Sequence, residues 1–237
     1  YSFIALAHGV YGVVVDSKTI APAAGFNPTF GQSDVWADQT YATAGGARWD
    51  GAAIPYLAAP GALYGGTELP AGGLSDDASA PAGFEHVTRI DATAGGTFPG
   101  VDFGFSFSAV TNTRGDDADD DTTRAGVQQQ GTLRQFLRNS NAIAGVQSSE
   151  FQIGAVGSIQ TITPAGAALP NITDAVNLNA WTQGAAGYSG PPLVVLDGNN
   201  LGATGLTLGA TADGSTIRGF VVRDFNADAI RIQAGST

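Results

Sequence analysis

The stretch that decides the fold is LVVLDGNNLGATGLTLGATADGSTIRGFVVRDFNADAIRI, residues 193–232, in which short apolar runs alternate with Gly, Asn and Asp turns. A shift of 24 residues aligns Leu193 with Ile217, Leu206 with Ile230 and Leu208 with Ile232. A repeat of this length is typical of solenoids, in which each unit buries its apolar side chains against the next. The predicted strands are Leu193–Leu196, Leu206–Leu208, Thr216–Val222 and Ala229–Ile232.

A helix is predicted before this stretch, in GTLRQFLRNSNAIAG, residues 131–145. Thr132 and Gln135 have the spacing of a capping box, in which the threonine hydroxyl accepts from an early backbone N–H group. Leu133, Phe136 and Leu137 form one apolar stripe, and Gly145 is a suitable stop. The segment is therefore expected to be a helix with one face to bury.

The first part of the chain contains further strand patterns. In VDFGFSF, Val101–Phe107, strict alternation places Phe103 and Phe105 on one face. Residues 1–16, YSFIALAHGVYGVVVD, are predicted as two strands broken near His8-Gly9, with Tyr11, Val13 and Val15 on one face of the second. Residues 19–100, which are rich in Gly, Pro and aromatic residues, are predicted as long ordered loops with short strands, one of them near residues 86–90.

Composition excludes several classes of protein. With a net charge of −11 and a single lysine, Lys18, the surface repels nucleic acid and anionic membranes. The absence of cysteine excludes a disulfide scaffold. No run of 18 apolar residues is present, so no transmembrane span is expected. The 34 glycines and the low charged fraction of 13% favour strands and turns over long surface helices.

Two motifs in the second half resemble bacterial surface β-helices of the pectate-lyase-like and polymorphic outer-membrane types. The stretch AVTNTRGDD…GTLRQFLRNSNA, residues 109–142, is similar to their opening segment. The stretch PPLVVLDGNN…STIRGFVVRDFNADAIRI, residues 191–232, is similar to their first coils, and its STIRGFVV run is the more specific part. The resemblance implies a right-handed parallel β-helix whose open end is capped by a helix. The cap would then be formed by Thr132, Leu133, Gln135, Phe136 and Leu137.

The first half resembles a different family. Residues 1–16 and the VDFGFSF strand look like strands of Cna-B-like or SdrD-B-like immunoglobulin-type modules, although the strands that usually carry their G-x-V-x-x-D signature are absent. Together the two resemblances imply a mainly β chain. Residues 1–107 would be an incomplete immunoglobulin-like sandwich with an insertion at 19–100, and residues 108–237 would be the capping helix and first coils of a parallel β-helix.

Candidate chemistry is sparse. The acidic run could bind calcium, which prefers oxygen ligands, or be a solvated loop; it consists of Asp116, Asp117, Asp119, Asp120 and Asp121. The tripeptide Arg114-Gly115-Asp116 and the sequon Asn171-Ile172-Thr173 are short enough to arise by chance. The β-helix part contains Asp and Arg residues such as Asp197 and Arg218, but no spacing indicates a positioned acid–base pair, so no enzyme is expected.

The function expected from these patterns is structural or adhesive, in an extracellular appendage, sheath or filament on a bacterial cell surface. The alternatives are a glycan-binding module that uses aromatic residues of 19–100 and, third, a polysaccharide lyase. Self-association, or continuation of the polypeptide beyond Thr237, is expected because good strand residues lack a full sheet or a next layer. These assembly residues are Tyr11, Val13, Val15, Phe103, Phe105, Ile230 and Ile232.

Overall fold

A computed structural model describes residues 4, 6–42, 46–49, 84–107, 110–111, 131–164 and 166–235. Within these residues the chain is mainly β, with short strands and one α-helix, α1 (Leu133–Ala142). The strands of the first half are β1 (Val10–Val14), β2 (Asp38–Ala42), β3 (Gly46–Trp49), β4 (Phe84–Asp91), β5 (Phe103–Ser106) and β6 (Val110–Thr111). Those of the second half are β7 (Gln147–Phe151), β8 (Gln160–Ile162), β9 (Val176–Asn179), β10 (Val194–Leu201), β11 (Leu206–Leu208), β12 (Thr216–Arg218), β13 (Phe220–Phe225) and β14 (Ile230–Ile232).

The strands of the first half, apart from β6, pair antiparallel. β4 lies between β1 and β3, and β2 pairs with β5 in a separate two-stranded sheet. The strand predicted near residues 86–90 is confirmed, and the predicted Val101–Phe107 strand forms over its central residues. Of the two strands predicted in residues 1–16, the second is β1; the described residues before it, which include a bend at His8 and Gly9, are not in a strand.

The strands of the second half pair parallel, in three sheets. The first sheet has the order β12-β9-β7-β6, the second β13-β10-β8, and the third pairs β11 with β14, with a parallel bridge from Ile172 to Leu208. The chain visits the three sheets in the same order three times. Circuit one is β7, β8 and Ile172; circuit two is β9, β10 and β11; circuit three is β12, β13 and β14.

The predicted shift of 24 residues is confirmed in the third sheet only. There Leu206 pairs with Ile230 and Leu208 with Ile232. The predicted alignment of Leu193 with Ile217 is wrong, because Ile217 pairs with Leu178 and the neighbouring Val194 pairs with Phe220. The connections between strands differ in length from circuit to circuit, so one constant shift cannot describe all three sheets.

The predicted strand Thr216–Val222 is divided at Gly219 into β12 and β13, which belong to different sheets. Gly219 has a φ of +81°, a conformation that residues with a Cβ rarely adopt. A Cβ at this position would lie 2.5 Å from the backbone nitrogen of Trp181, which belongs to the preceding circuit. Glycine therefore allows the chain to turn from the first sheet into the second while its backbone lies against the preceding circuit.

Gly219→Ala is expected to destabilise the fold by about 3 kcal/mol or more, since it combines backbone strain with a steric overlap. Gly214→Ala is the matched control, because Gly214 has a φ of +80° but no atom lies within 4 Å of the point that a Cβ would occupy. The control should lose only about 1 kcal/mol. Urea unfolding followed by circular dichroism measures both free energies, and equal losses would show that the close approach to Trp181 is unimportant.

The main core lies inside the three circuits. The inward residues of the parallel strands and the apolar stripe of α1 form one buried cluster, which includes Leu133, Phe136, Leu137, Phe151 and Leu178. Phe151 of circuit one meets Phe220 of circuit three edge to face, with ring centroids 5.1 Å apart. This core therefore joins the helix and all three circuits through apolar contacts.

Candidate functional site

The helix α1 is buried along most of its length. Eight of its ten residues are buried, and Leu133 and Leu137 are fully inaccessible to solvent. At its start, the hydroxyl oxygen of Thr132 accepts a hydrogen bond of 3.0 Å from the backbone nitrogen of Gln135, as the capping pattern predicts. The five residues predicted as a cap thus lie together, and the helix ends at Ala142, before the predicted stop at Gly145.

Three side-chain amides each make two hydrogen bonds to backbone groups, one as donor and one as acceptor, as a strand residue does in a β-ladder. Asn139 accepts from the backbone nitrogen of Trp36 at 3.0 Å and donates to its carbonyl oxygen at 2.8 Å. Gln183, fully buried, makes the same pair with Ile153 at 2.7 and 2.8 Å. Asn141 donates to Asn171 O at 2.7 Å and accepts from Thr173 N at 2.8 Å. The amides of Asn139 and Gln183 satisfy backbone groups that would otherwise be costly to bury, whereas those paired with Asn141 are exposed.

The guanidinium group of Arg134 fixes the loop between β8 and Ile172 to the helix. Its two terminal nitrogens donate to the carbonyl oxygens of Ala167 at 3.0 Å and Ala168 at 2.9 Å. Arg134 is only 8% exposed, so these charge-assisted hydrogen bonds lie at the edge of the core. The helix is therefore attached to circuit one through both apolar and polar contacts.

The segment around residues 26–36 lies against the end of α1. The Asn27 side-chain nitrogen donates to the carbonyl oxygen of Asn141 at 3.0 Å and to the Asp174 carboxylate at 2.7 Å. Phe26 forms a bridge with Ile143, and Trp36 is buried at 3% exposure. Trp36 is thus a packing residue and is not available for contact with a glycan.

Among the described residues, nothing covers the last circuit on the side away from α1. In the third sheet, Leu206 and Leu208 of circuit two are 1% and 9% exposed, whereas their partners Ile230 and Ile232 are 45% and 66% exposed. The strands β12, β13 and β14 are edge strands of their sheets among the described residues. Circuit three therefore presents apolar side chains and unpaired strand edges on one surface.

The other predicted assembly residues lie in two antiparallel sheets. Tyr11 and Val13 belong to β1, an edge strand, and Val15 follows it; all three are half-buried. Phe103 and Phe105 belong to β5, whose partner is β2. Tyr11 and Val13 also line a cleft of about 1050 Å³, whose other lining residues include the exposed Ile4, Leu6 and Phe98. The assembly residues are therefore spread over three sheets and do not form one site.

The predicted calcium ligands Asp116, Asp117, Asp119, Asp120 and Asp121 lie outside the described residues, as do Arg114 and Gly115. Across the part of the chain that the structure describes, no group of three or more His, Asp or Glu side chains could hold a metal ion. The helices of that same part include none that is both long and apolar enough to cross a membrane.

An ion pair connects circuits two and three on the outer surface. The Arg223 guanidinium lies 2.7 Å from the carboxylate of Asp197, its partner in the parallel ladder. The backbone N–H of Asn199, which donates to Asp197 at 2.9 Å, lowers the pKa of Asp197 below its ordinary value of 3.8. The Arg223 side chain lowers this pKa further, while partial loss of hydration opposes both effects.

The lowered pKa predicts the sign of an acid effect on stability. Asp197 stabilises the folded chain above pH 3.8, and this contribution is lost as the pH falls through the lower folded-state pKa. Asp197→Asn should therefore have a lower melting temperature than the parent at pH 7, and the two melting temperatures should converge below pH 3.8. Melting curves between pH 2 and 7 check this; a constant difference would mean that ionisation of Asp197 does not matter.

Comparison of the chain with models of protein families, with curated proteins and with solved structures finds no match.

Proposed function

We propose that this chain is a structural and adhesive component of an extracellular bacterial surface structure such as a stalk, sheath or filament. The observation that carries the proposal is the contrast between the two ends of the three circuits. The apolar stripe of α1 is buried in their shared core, while Ile230 and Ile232 of circuit three stand exposed. A stack with one covered end and one uncovered end is suited to linear extension.

The three circuits are interpreted as the first coils of a parallel β-helix. Strands that follow one another through three parallel sheets, in a constant order, support this architecture. The right hand follows from the general rule for parallel crossover connections. In a solenoid, terminal units need a cover that hides the apolar interior. The helix α1, with Leu133, Phe136 and Leu137 in the shared core, is proposed to be that cover.

The exposed surface of circuit three is proposed to be an assembly surface. Edge strands present unpaired N–H and C=O groups, which readily pair with a further strand. A further coil of the same polypeptide or a neighbouring subunit would bury Ile230 and Ile232 as Leu206 and Leu208 are buried one circuit earlier. If each contact joins one end of a subunit to a different surface of the next, the assembly is an open filament.

Residues 1–107 are proposed to be an incomplete immunoglobulin-like module with an insertion at 19–100. The support is that its described strands form two small antiparallel sheets, of which one ends at β1. The cleft beside β1 is lined by apolar side chains, including Leu6, Tyr11, Val13 and Phe98. An extended strand from a neighbouring subunit could add to β1 there, since strand addition gains both backbone hydrogen bonds and apolar burial.

Electron microscopy of the purified chain tests the proposed function. At high micromolar concentration, negatively stained particles should form linear arrays that lengthen as the concentration rises. Dilution should shorten the arrays, which distinguishes reversible assembly from irreversible aggregation. Uniform single particles at all concentrations would contradict a function in linear assembly.

Calcium is proposed to bind the acidic run at residues 116–121. The chain has a net charge of −11, so a bound cation also relieves repulsion. Millimolar calcium should raise the melting temperature relative to chelator, because a ligand specific for the folded state stabilises it by mass action. The combined change Asp117→Asn, Asp119→Asn, Asp121→Asn should remove the increase, whereas the exposed Asp102→Asn should keep it. Identical midpoints with and without calcium would exclude the site.

A further inference from the structure

The outer face of the first parallel sheet carries two polar rows that cross the circuits. Glu150, Asn179 and Arg218 are in register with one another, one residue from each circuit. A second row, two positions earlier on each strand, consists of Ser148, Asn177 and Thr216. All six residues are exposed or half-buried, whereas Ser149 and Leu178 between them are buried. We call these six residues the outer rows.

The Arg218 side chain is held within its row. Its Nε donates to the Asn179 side-chain oxygen at 2.9 Å, from circuit three to circuit two. The Asn179 backbone oxygen accepts from the Thr182 hydroxyl at 2.8 Å, which fixes the turn that follows β9. A guanidinium group and an amide are thus held side by side on the outer face of the sheet.

An aromatic pair stands beside the same row, where β9 and β12 end. Trp181 follows Asn179 by two positions and lies against the corner after Arg218, since a Cβ on Gly219 would be 3.1 Å from its Cγ. Its ring is 6.2 Å from that of Tyr188, at a tilt of 45°. The Tyr188 hydroxyl donates to the carbonyl oxygen of Pro191 at 2.7 Å, and both rings are half-buried. The pair therefore presents a partly exposed aromatic surface beside charged and amide groups.

We propose that the outer rows and Trp181 bind an extended neutral oligosaccharide of pyranoses with equatorial hydroxyls, such as β-1,4-linked glucose or N-acetylglucosamine. Sugar hydroxyls both donate and accept, which matches the acceptor Glu150, the amide of Asn179 and the donor Arg218. Adjacent positions in a row are about 4.8 Å apart, close to the length of one pyranose. The C–H face of an equatorial pyranose is flat and apolar, so it can stack on the indole ring.

The charge of the chain favours a neutral ligand. A polyanionic glycan would be repelled by the net charge of −11 and would meet the carboxylate of Glu150 in the row itself. The inference deepens the adhesive part of the proposed function and rests on it. It does not require assembly, because all six residues of the outer rows belong to one chain, although Arg218 and Thr216 lie on β12, an edge strand of circuit three.

Isothermal titration calorimetry of the full chain with cellohexaose and chitohexaose tests the inference. Saturable binding to at least one of them is expected. Arg218→Gln and Glu150→Gln should each weaken it about tenfold or more, since hydrogen bonds to charged groups are among the stronger ones. Arg231→Gln is the matched control, because Arg231 is an exposed arginine of circuit three outside the outer rows. Maltohexaose, whose α-linked chain is curved, should bind at least tenfold more weakly than the better β-linked ligand.

The outcomes separate the inference from the proposed function. Binding that persists unchanged in Ile232→Asp supports the outer rows as a site independent of the assembly surface. Absence of saturable binding to both β-linked hexasaccharides would overturn the inference while leaving the assembly proposal untouched. Equal weakening by Arg218→Gln and Arg231→Gln would also overturn it, since the effect would then be general electrostatics and not recognition by the outer rows.

Discussion

Leu137→Asp is expected to destabilise the chain by about 4 kcal/mol or more, because it removes a core side chain and places a carboxylate in an apolar site. Leu137 is fully buried and belongs to the cluster that joins α1 to the parallel circuits. The loss should include the parallel sheets and not the helix alone, since their interior becomes exposed when α1 detaches. Denaturant unfolding followed by far-ultraviolet circular dichroism measures the free energy.

Val146→Asp is the matched control for Leu137→Asp. It adds the same charge a few residues after the helix, at a position that is 60% exposed. This variant should stay within about 0.5 kcal/mol of the parent. If Leu137→Asp and Val146→Asp lower the free energy of unfolding equally, α1 does not cover the end of the three circuits and the proposed cap is wrong.

Ile232→Asp is expected to weaken self-association at least 100-fold with little effect on the stability of the monomer. Ile232 is 66% exposed in the single chain, so a carboxylate there remains solvated until a partner approaches. In the assembled state the same carboxylate would be buried against an apolar surface, which costs several kcal/mol. Sedimentation velocity across a range of concentrations compares the variant with the parent.

Val156→Asp is the control for Ile232→Asp, because Val156 is 60% exposed in the connection between β7 and β8, away from circuit three. Val156→Asp changes the charge and the exposed apolar area by amounts similar to those of Ile232→Asp, and it should leave the association constant unchanged. An equal effect of both substitutions would point to general charge repulsion and away from a specific surface at circuit three.

The sequence predicts the elements of the second half better than their alignment. The helix and its N-cap at Thr132 follow from local patterns that need no tertiary information, and the pairing of Leu206 with Ile230 follows from the 24-residue repeat. The alignment of Leu193 with Ile217 fails because register between circuits depends on the length of each connection. The division of Thr216–Val222 at Gly219 depends on the close approach of Trp181, which the local pattern does not contain.

The polar contacts around α1 could not be predicted from local patterns. Asn139 bonds to Trp36 across 103 positions of sequence, and Gln183 bonds to Ile153 across 30. An Asn or Gln in a helix or turn is equally compatible with a solvated position. Its residue type alone therefore does not predict which backbone group its side chain will bond. The apolar stripe of Leu133, Phe136 and Leu137 was predictable, since helical periodicity alone places these side chains on one face.

The most direct test of the central claim is static light scattering of the purified 237-residue chain across the micromolar range. The uncovered circuit three predicts a weight-average mass that rises continuously with concentration, above the 23.9 kDa of one chain. Ile232→Asp should stay near the mass of the monomer over the same range. A parent chain that remains a soluble monomer at every concentration would contradict the claim that circuit three is an assembly surface.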